Sequence, residues 1–275
     1  MNERYSRQSF LGEDSDSLFA RLNVAIVGLG GGGSHVAQQL VHLGVKNFIL
    51  VDHDSIEESN LNRLVGGTAE DVRAERNKVD ILARVIRSVN EDADVSVQSQ
   101  KWQNAANLLR ECDCIFGCVD SLDERRQLEN FARRFMIPYI DIGIDVSNTD
   151  GRTYITGQVA KSIPSKPCLW CLNILNEQNV NKEVQEYGAA GGQPQVVWAN
   201  GIVASAAVGM FVELFTPWNP DQNQVLCLDY DGNKHTLEVS NRMLFPSVQE
   251  GICEHYPKEL VGDPFFKINK IVNHG

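Results

Sequence analysis

The stretch Asn23-Val24-Ala25-Ile26-Val27-Gly28-Leu29-Gly30-Gly31-Gly32-Gly33-Ser34 decides how this chain folds. A short β-rich apolar run stops at a glycine cluster, and from Ser34 to Leu43 the residues Val36, Leu40 and Leu43 recur at helical spacing. The glycines satisfy G-x-G-x-x-G through Gly28, Gly30 and Gly33, with Gly31 between them, and Asp52 ends the next apolar run 24 residues past Gly28. Residues without side chains let backbone N–H groups and a helix N-terminus approach a phosphate. A carboxylate at the end of the second strand accepts hydrogen bonds from ribose hydroxyls. A nucleotide-binding turn is expected, and the fingerprint alone does not separate NAD from ATP.

Outward from that turn, Asn47–Val51, Asp94–Val97, Cys114–Val119 and Tyr139–Ile142 read as strands. They alternate with helices over Lys78–Val89, around Asn104–Arg110 and over Leu122–Phe135. After Gly143 the character changes. Arg152–Val159, Gln224–Asp229 and Lys234–Val239 read as strands, the last two joined at Asp231-Gly232-Asn233 as in a hairpin. Asn200–Phe215 reads as a buried helix, Asn173–Gln195 as a functional crossover or a disordered stretch, and the tail from Phe245 as irregular coil. The expected fold is α/β: a Rossmann-like, doubly wound, mostly parallel sheet extended by antiparallel strands in the C-terminal half. Residues 1–275 are expected to form one domain, with a nucleotide-binding half over about 1–145 and a second half over about 146–275.

Charge narrows the partners. The chain of 275 residues carries 25 Lys and Arg against 36 Asp and Glu, net −11, so nucleic acid and anionic membranes are repelled on average. Residues 1–10 have no apolar segment, and no run approaches the ~18 apolar residues of a membrane span, so a cytoplasmic protein is expected. Seven cysteines, an odd number, suit metal ligation and buried thiols better than a disulfide framework.

Asn60, Arg63 and Lys78 follow the ribose anchor, where phosphates would lie. Hydride transfer has little use for so many cations, whereas nucleotidyl transfer builds charge on phosphate oxygens that fixed donors must meet. Asp120 ends the Cys114–Val119 strand, where it would hold Mg2+ or, alternatively, cap the helix from Leu122 with Ser121 and Glu124. Cys168-Leu-Trp-Cys171 has the spacing that bites one Zn2+ and needs a second pair.

Taken in order, these motifs resemble the ThiF/MoeB/HesA family of E1-like adenylating enzymes. The resemblance runs from Arg4 to about His255 and rests on Arg4-Tyr5-Ser6-Arg7-Gln8, Gly28–Gly33, Val51-Asp52-His53-Asp54, Ser59-Asn60-Leu61-Asn62-Arg63, Lys78, Cys118-Val119-Asp120 and Pro167-Cys168-Leu169-Trp170-Cys171. It implies ATP as cofactor, with Asp52 and Asp54 at the ribose end, Asn60, Arg63 and Lys78 on the phosphates and Asp120 on magnesium. It also implies a homodimer in which Arg7 reaches the other subunit's nucleotide, and a small ubiquitin-fold carrier protein, ending in glycine, bound by the second half. Where the family usually shows a second C-x2-C, this chain offers Cys253 and His255; Cys227 as a ligand, or no metal, are the alternatives.

Members that form a thioester place a cysteine after the C-x2-C, and Leu172–Ala199 contains none, so the reaction is expected to stop at the acyl adenylate. Cys112 and Cys227 suit buried thiols, and Cys114 and Cys118 lie on one strand face as core residues. Trp198, Trp218, Phe265 and Phe266 read as packing. The rival readings are an NAD(P)-dependent oxidoreductase, an E1-like enzyme acting on a tRNA base or peptide carboxylate, and a silent scaffold.

Overall fold

Strand β1 (Asn23–Val27) is apolar on both faces: Val24 and Ile26 enter one core, Ala25 and Val27 the other. A strand of that kind belongs at the centre of a covered sheet. In the computed structural model, which describes residues 3–177, 194–219, 224–251 and 253–256, the sheet has eight strands in the order β3-β2-β1-β4-β5-β6-β7-β8. The others are β2 (Asn47–Val51), β3 (Asp94–Gln98), β4 (Cys114–Gly117), β5 (Tyr139–Thr149), β6 (Arg152–Ser162), β7 (Cys227–Asp231) and β8 (Thr236–Val239). The first five pair in parallel, and β5 to β8 pair antiparallel.

Helices α1 (Gly31–Leu43) and α2 (Lys78–Val89) cross between parallel neighbours and share one core with α4 (Val197–Phe215), whose Phe211 stacks on Phe19 and packs against Phe116. Helix α3 (Leu122–Arg134) covers the other face together with Trp102, Leu109 and the segment from Cys168 to Leu175. By length and composition α4 resembles a membrane span, yet Ala199, Val203, Ala207, Met210 and Phe211 are buried in the protein core. The order in which strands are added reverses between the parallel neighbours β1 and β4, one leading outward to β2 and the other to β5. At that switch point the carboxyl ends of the parallel strands leave a crevice.

Several boundaries differ from the sequence reading. Helix α1 starts three residues earlier, at Gly31, because the glycines themselves form its first turn. Strand β5 does not stop at Ile142 but runs through Gly143 to Thr149, paired residue by residue with β6. The cause is the alternation Ile140, Ile142, Ile144, Val146, which continues past the glycine. Cys114 is core as expected, whereas Cys118 is half-buried and lines the crevice. Of the stretch 173–195, residues 178–193 lie outside the described residues, as do the tail from 257 and with it Phe265 and Phe266.

Candidate active site

Two glycines shape the floor of the crevice. Gly28 has φ +86°, and a Cβ there would stand 2.4 Å from the Cys118 carbonyl oxygen; a Cβ on Gly33 would stand 1.9 Å from the Gly28 carbonyl oxygen. Only glycine at both lets the turn fold back and start α1 with its N-terminus facing the cleft. Asp52, nearly buried at the end of β2, holds the turn by accepting from the Leu29 N–H at 2.6 Å, and its other oxygen accepts from the Asp54 N–H at 2.9 Å. The cleft encloses about 350 Å³ and brings together Gly28, Gly30, Gly31, Asp52, Asp54, Asn60, Arg63, Lys78 and Asp120. Gly33 packs beneath it, and Arg7 stands on the exposed N-terminal turn Glu3–Leu11, outside the lining.

The two cations are held differently: Lys78 is buried and ion-paired, whereas Arg63 is half-buried and bonded to neutral oxygens. Lys78 Nζ lies 2.8 Å from the half-exposed Asp54 carboxylate. Burial pushes Asp54 up, but the Lys78 hydrogen bond and the charges of Lys78 and His53 together bring it below its ordinary value. Arg63 Nη1 donates to the Ser59 carbonyl at 2.6 Å and to Asn62 Oδ1 at 3.0 Å. Asn60 is buried and accepts from the Glu57 N–H, which fixes the turn that carries Arg63. Ser121 Oγ accepts from the Glu124 N–H as the N-cap of α3, and among the described residues the exposed Asp120 carboxylate accepts from Gln195 Nε2, at 3.3 Å. Asp120 is therefore available to a cation at the mouth of the cleft.

A second cluster sits behind α3. Cys168, Cys171, Cys253 and His255 place one ligand atom each within 4.8 Å of all the others. The Cys168 and Cys171 sulfurs are 3.6 Å apart, and His255 Nδ1 lies 3.6 and 3.4 Å from them. A tetrahedral zinc with Zn–S of about 2.3 Å and Zn–N of about 2.0–2.1 Å requires sulfurs about 3.8 Å apart and S···N of about 3.5 Å, so these donors fit that ion. Cys227 is buried elsewhere in the core, and burial pushes its thiol up to about 11, as for an inert thiol.

Comparison with known proteins bears on this arrangement. A model of the ThiF family matches residues 4–249. The chain belongs to the ThiF family. It is 32% identical over 178 residues to the sulfur carrier protein ThiS adenylyltransferase of Bacillus subtilis, covering 62% of this chain and 51% of that one. It is 30% identical over 210 residues to tRNA threonylcarbamoyladenosine dehydratase 2 of Saccharomyces cerevisiae, covering 71% of this chain and 44% of that one. Among solved structures, Escherichia coli MccB with ATP superposes with a TM-score of 0.68 at 21% identity, over 88% of this chain and 72% of that one, a likeness of fold. The chain spans about half the length of the curated relatives it matches.

For a ThiF-family chain, Cys253 and His255 fall just beyond the matched segment. Several lining residues escaped the sequence reading: Gln100, Lys101, Trp102, Arg125 and Asn200, while His53 and Glu124 appear there in other roles. Arg125 is almost fully buried, its Nη1 2.7 Å from Asp141, which also accepts from the Tyr139 hydroxyl at 3.0 Å. Burial pushes Asp141 up, with Arg125 and Tyr139 working against it. Burial likewise raises Glu124, which His53 and Lys101 pull down and Asp52 and Asp120 push further up. Position was the one signal for Gln100, Lys101 and Trp102, which follow the carboxyl end of β3 within a few residues, whereas Arg125 lies in α3 and Asn200 in α4.

Proposed function

We propose that this chain is an ATP-dependent adenylyltransferase that activates the C-terminal glycine of a small ubiquitin-fold or sulfur-carrier protein as an acyl adenylate and releases pyrophosphate. What supports it is one observation: a glycine turn, a ribose-type carboxylate, Asn60, Arg63, Lys78 and an exposed Asp120 line a single cleft. The adenylyltransferase name of the Bacillus subtilis relative agrees with it.

A C-terminal carboxylate, with a reference pKa of about 3.3–3.7, is ionised at neutral pH and needs no general base. One of its oxygens bonds to the α-phosphorus as the bond from that phosphorus to the bridging β-oxygen breaks, and pyrophosphate carries away the electron pair. The protein's part is alignment and charge. Backbone N–H groups of Gly30–Gly33 and the N-terminus of α1 face the phosphates, and Asp52 accepts from the ribose. Lys78 exchanges Asp54 for a phosphate oxygen, and Arg63 exchanges the Ser59 carbonyl for another. Asp120 would hold Mg2+, which when bound supplies further charge neutralisation. Cys168, Cys171, Cys253 and His255 would hold a structural Zn2+. Arg7, outside the cleft of its own chain, suits a homodimer in which it reaches the partner's nucleotide. The reading includes a cytoplasmic location and no membrane partner.

A yeast relative named for a tRNA base modification supplies a second reading, a tRNA base carboxylate as acceptor, against which the net charge of −11 speaks. Pyrophosphate exchange into ATP separates the two. The first reading expects exchange stimulated by a glycine-ended carrier and not by tRNA, and lost in Asp120→Ala. Exchange driven by tRNA alone would replace it with the second.

A further inference from the structure

Resting on the proposed use of MgATP, we propose that Gln195 is a positioning residue of the phosphate site, whose side-chain amide orients the Asp120 carboxylate for Mg2+ and turns to a phosphate oxygen when the metal takes that carboxylate. Gln195 stands half-buried just ahead of α4 and lines the cleft. Both walls hold it. On one side its backbone carbonyl accepts from Asn62 Nδ2 at 3.1 Å, and Asn62 Oδ1 accepts from Arg63 Nη1 at 3.0 Å. On the other its Nε2 donates to Asp120 Oδ1 at 3.3 Å. One residue thus stands between the guanidinium assigned to a phosphate and the carboxylate assigned to the metal, and a triphosphate reaching from one to the other passes it. The backbone that follows is fixed to the glycine turn: Asn200 Nδ2 donates to the Val196 carbonyl at 3.0 Å, and the Asn200 amide lies 2.7 Å from where a Cβ on Gly31 would stand. The main chain at Gln195 is set from both directions, and the part left to move is its side chain.

The chemistry of the three groups makes the exchange run one way. Mg2+ holds its oxygens at about 2.0–2.1 Å in octahedral geometry, so neighbouring oxygens in its shell lie about 2.9 Å apart. A donor already 3.3 Å from the Asp120 oxygen is therefore a small side-chain rotation away from a phosphate oxygen that shares that shell. The metal repels the positive N–H edge of the amide, and the phosphate attracts it into a charge-assisted hydrogen bond. A lysine at 195 would compete with Mg2+ for Asp120, and a glutamate there would repel both Asp120 and the phosphates. A neutral amide does neither.

Calorimetric binding of ATP, with Mg2+ and with EDTA, tests this on the wild type and on Gln195→Leu, which keeps the backbone carbonyl bonded to Asn62. Gln195→Leu is expected to weaken MgATP about tenfold, the worth of one charge-assisted hydrogen bond, and to leave metal-free ATP within about threefold of wild type. The gain in affinity that Mg2+ brings is then smaller in the variant by a similar factor. A residue that only holds the segment in place would lower both affinities equally when replaced, and one that only competes with the metal would leave a variant that binds MgATP more tightly. Either result, or an unchanged MgATP affinity, overturns the inference while ATP use stands. A wild type that binds ATP neither with Mg2+ nor without it overturns the inference and the proposed function together.

Discussion

Glu129→Ala would uncouple the metal-type cluster from the helix that serves the cleft. Glu129 is fully buried on α3; one carboxylate oxygen accepts from the Leu169 N–H, inside the Cys168–Cys171 knuckle, at 2.8 Å, and the other from the Tyr256 hydroxyl, beside His255, at 3.1 Å. Removing the carboxylate leaves at least the Leu169 and Tyr256 donors without an acceptor, and takes away the Ser162 hydrogen bond, at about 1–3 kcal/mol for each orphaned donor, so about 4 kcal/mol or more is expected. For domains of 150–250 residues each kcal/mol shifts Tm by about 2–4 °C, and a loss of at least about 8 °C follows. Arg133 still bonds Ser162 and the Lys166 and Pro167 carbonyls, so the knuckle stays attached at its start. Glu129→Gln keeps one acceptor oxygen and should lose about half as much. Thermal unfolding by circular dichroism reads both variants. A Glu129→Ala protein melting within 2 °C of wild type would refute the reasoning, because it would mean these hydrogen bonds carry no net stability.

Gly33→Ala, whose Cβ would meet the Gly28 carbonyl, should distort the turn by about 1–3 kcal/mol and weaken nucleotide binding at least tenfold by calorimetry. Lys78→Met should lower pyrophosphate exchange by about 10²–10³ while the fold, read by circular dichroism, is kept, since Asp54 is half-exposed without its partner. Asp71, buried, accepts from Arg84, Arg76 and Thr68; the Arg84 hydrogen bond in first place holds its carboxyl well below the usual range against the cost of burial. A depressed folded value means that its stabilisation is complete above the unfolded value of about 3.9 and is lost as pH falls below it. Asp71→Asn should therefore cost about 1–3 kcal/mol at pH 7 in urea titrations, the two arginines left behind being half-exposed, and flatten the acid limb of the wild-type profile. Metal analysis should find one zinc per chain in the wild type and markedly less in Cys253→Ser and His255→Ala; equal zinc in all three would remove both residues from the ligand set.

How much was legible in the sequence follows from how local each signal is. The run from Asn23 to Leu43 was readable because strand, glycine turn and helix are adjacent, and the close contact of Gly33 with Gly28 is itself a five-residue event. The helix Lys78–Val89 was readable from its apolar period alone. Cys168 and Cys171 announced themselves by spacing, whereas the convergence of Cys253 and His255, more than 80 residues later, depends on tertiary packing. Asp120 was ambiguous because magnesium ligand and helix cap look alike in sequence; the hydrogen bond from the Glu124 N–H to Ser121 Oγ gives the cap to Ser121. Gln100, Trp102 and Arg125 had no local signature, as they reach the cleft from the ends of different strands and from α3. The extension of β5 was hidden by Gly143, a residue that usually punctuates and here lies inside a continuous ladder.

The most direct measurement is the intact mass of a glycine-ended carrier protein after incubation with this chain and MgATP, with pyrophosphate counted alongside. The account predicts a carrier heavier by one adenylyl group and one pyrophosphate for each carrier modified, both abolished by deleting the carrier's terminal glycine. An unmodified carrier with no pyrophosphate released, from a protein that instead oxidises NADH, would contradict it.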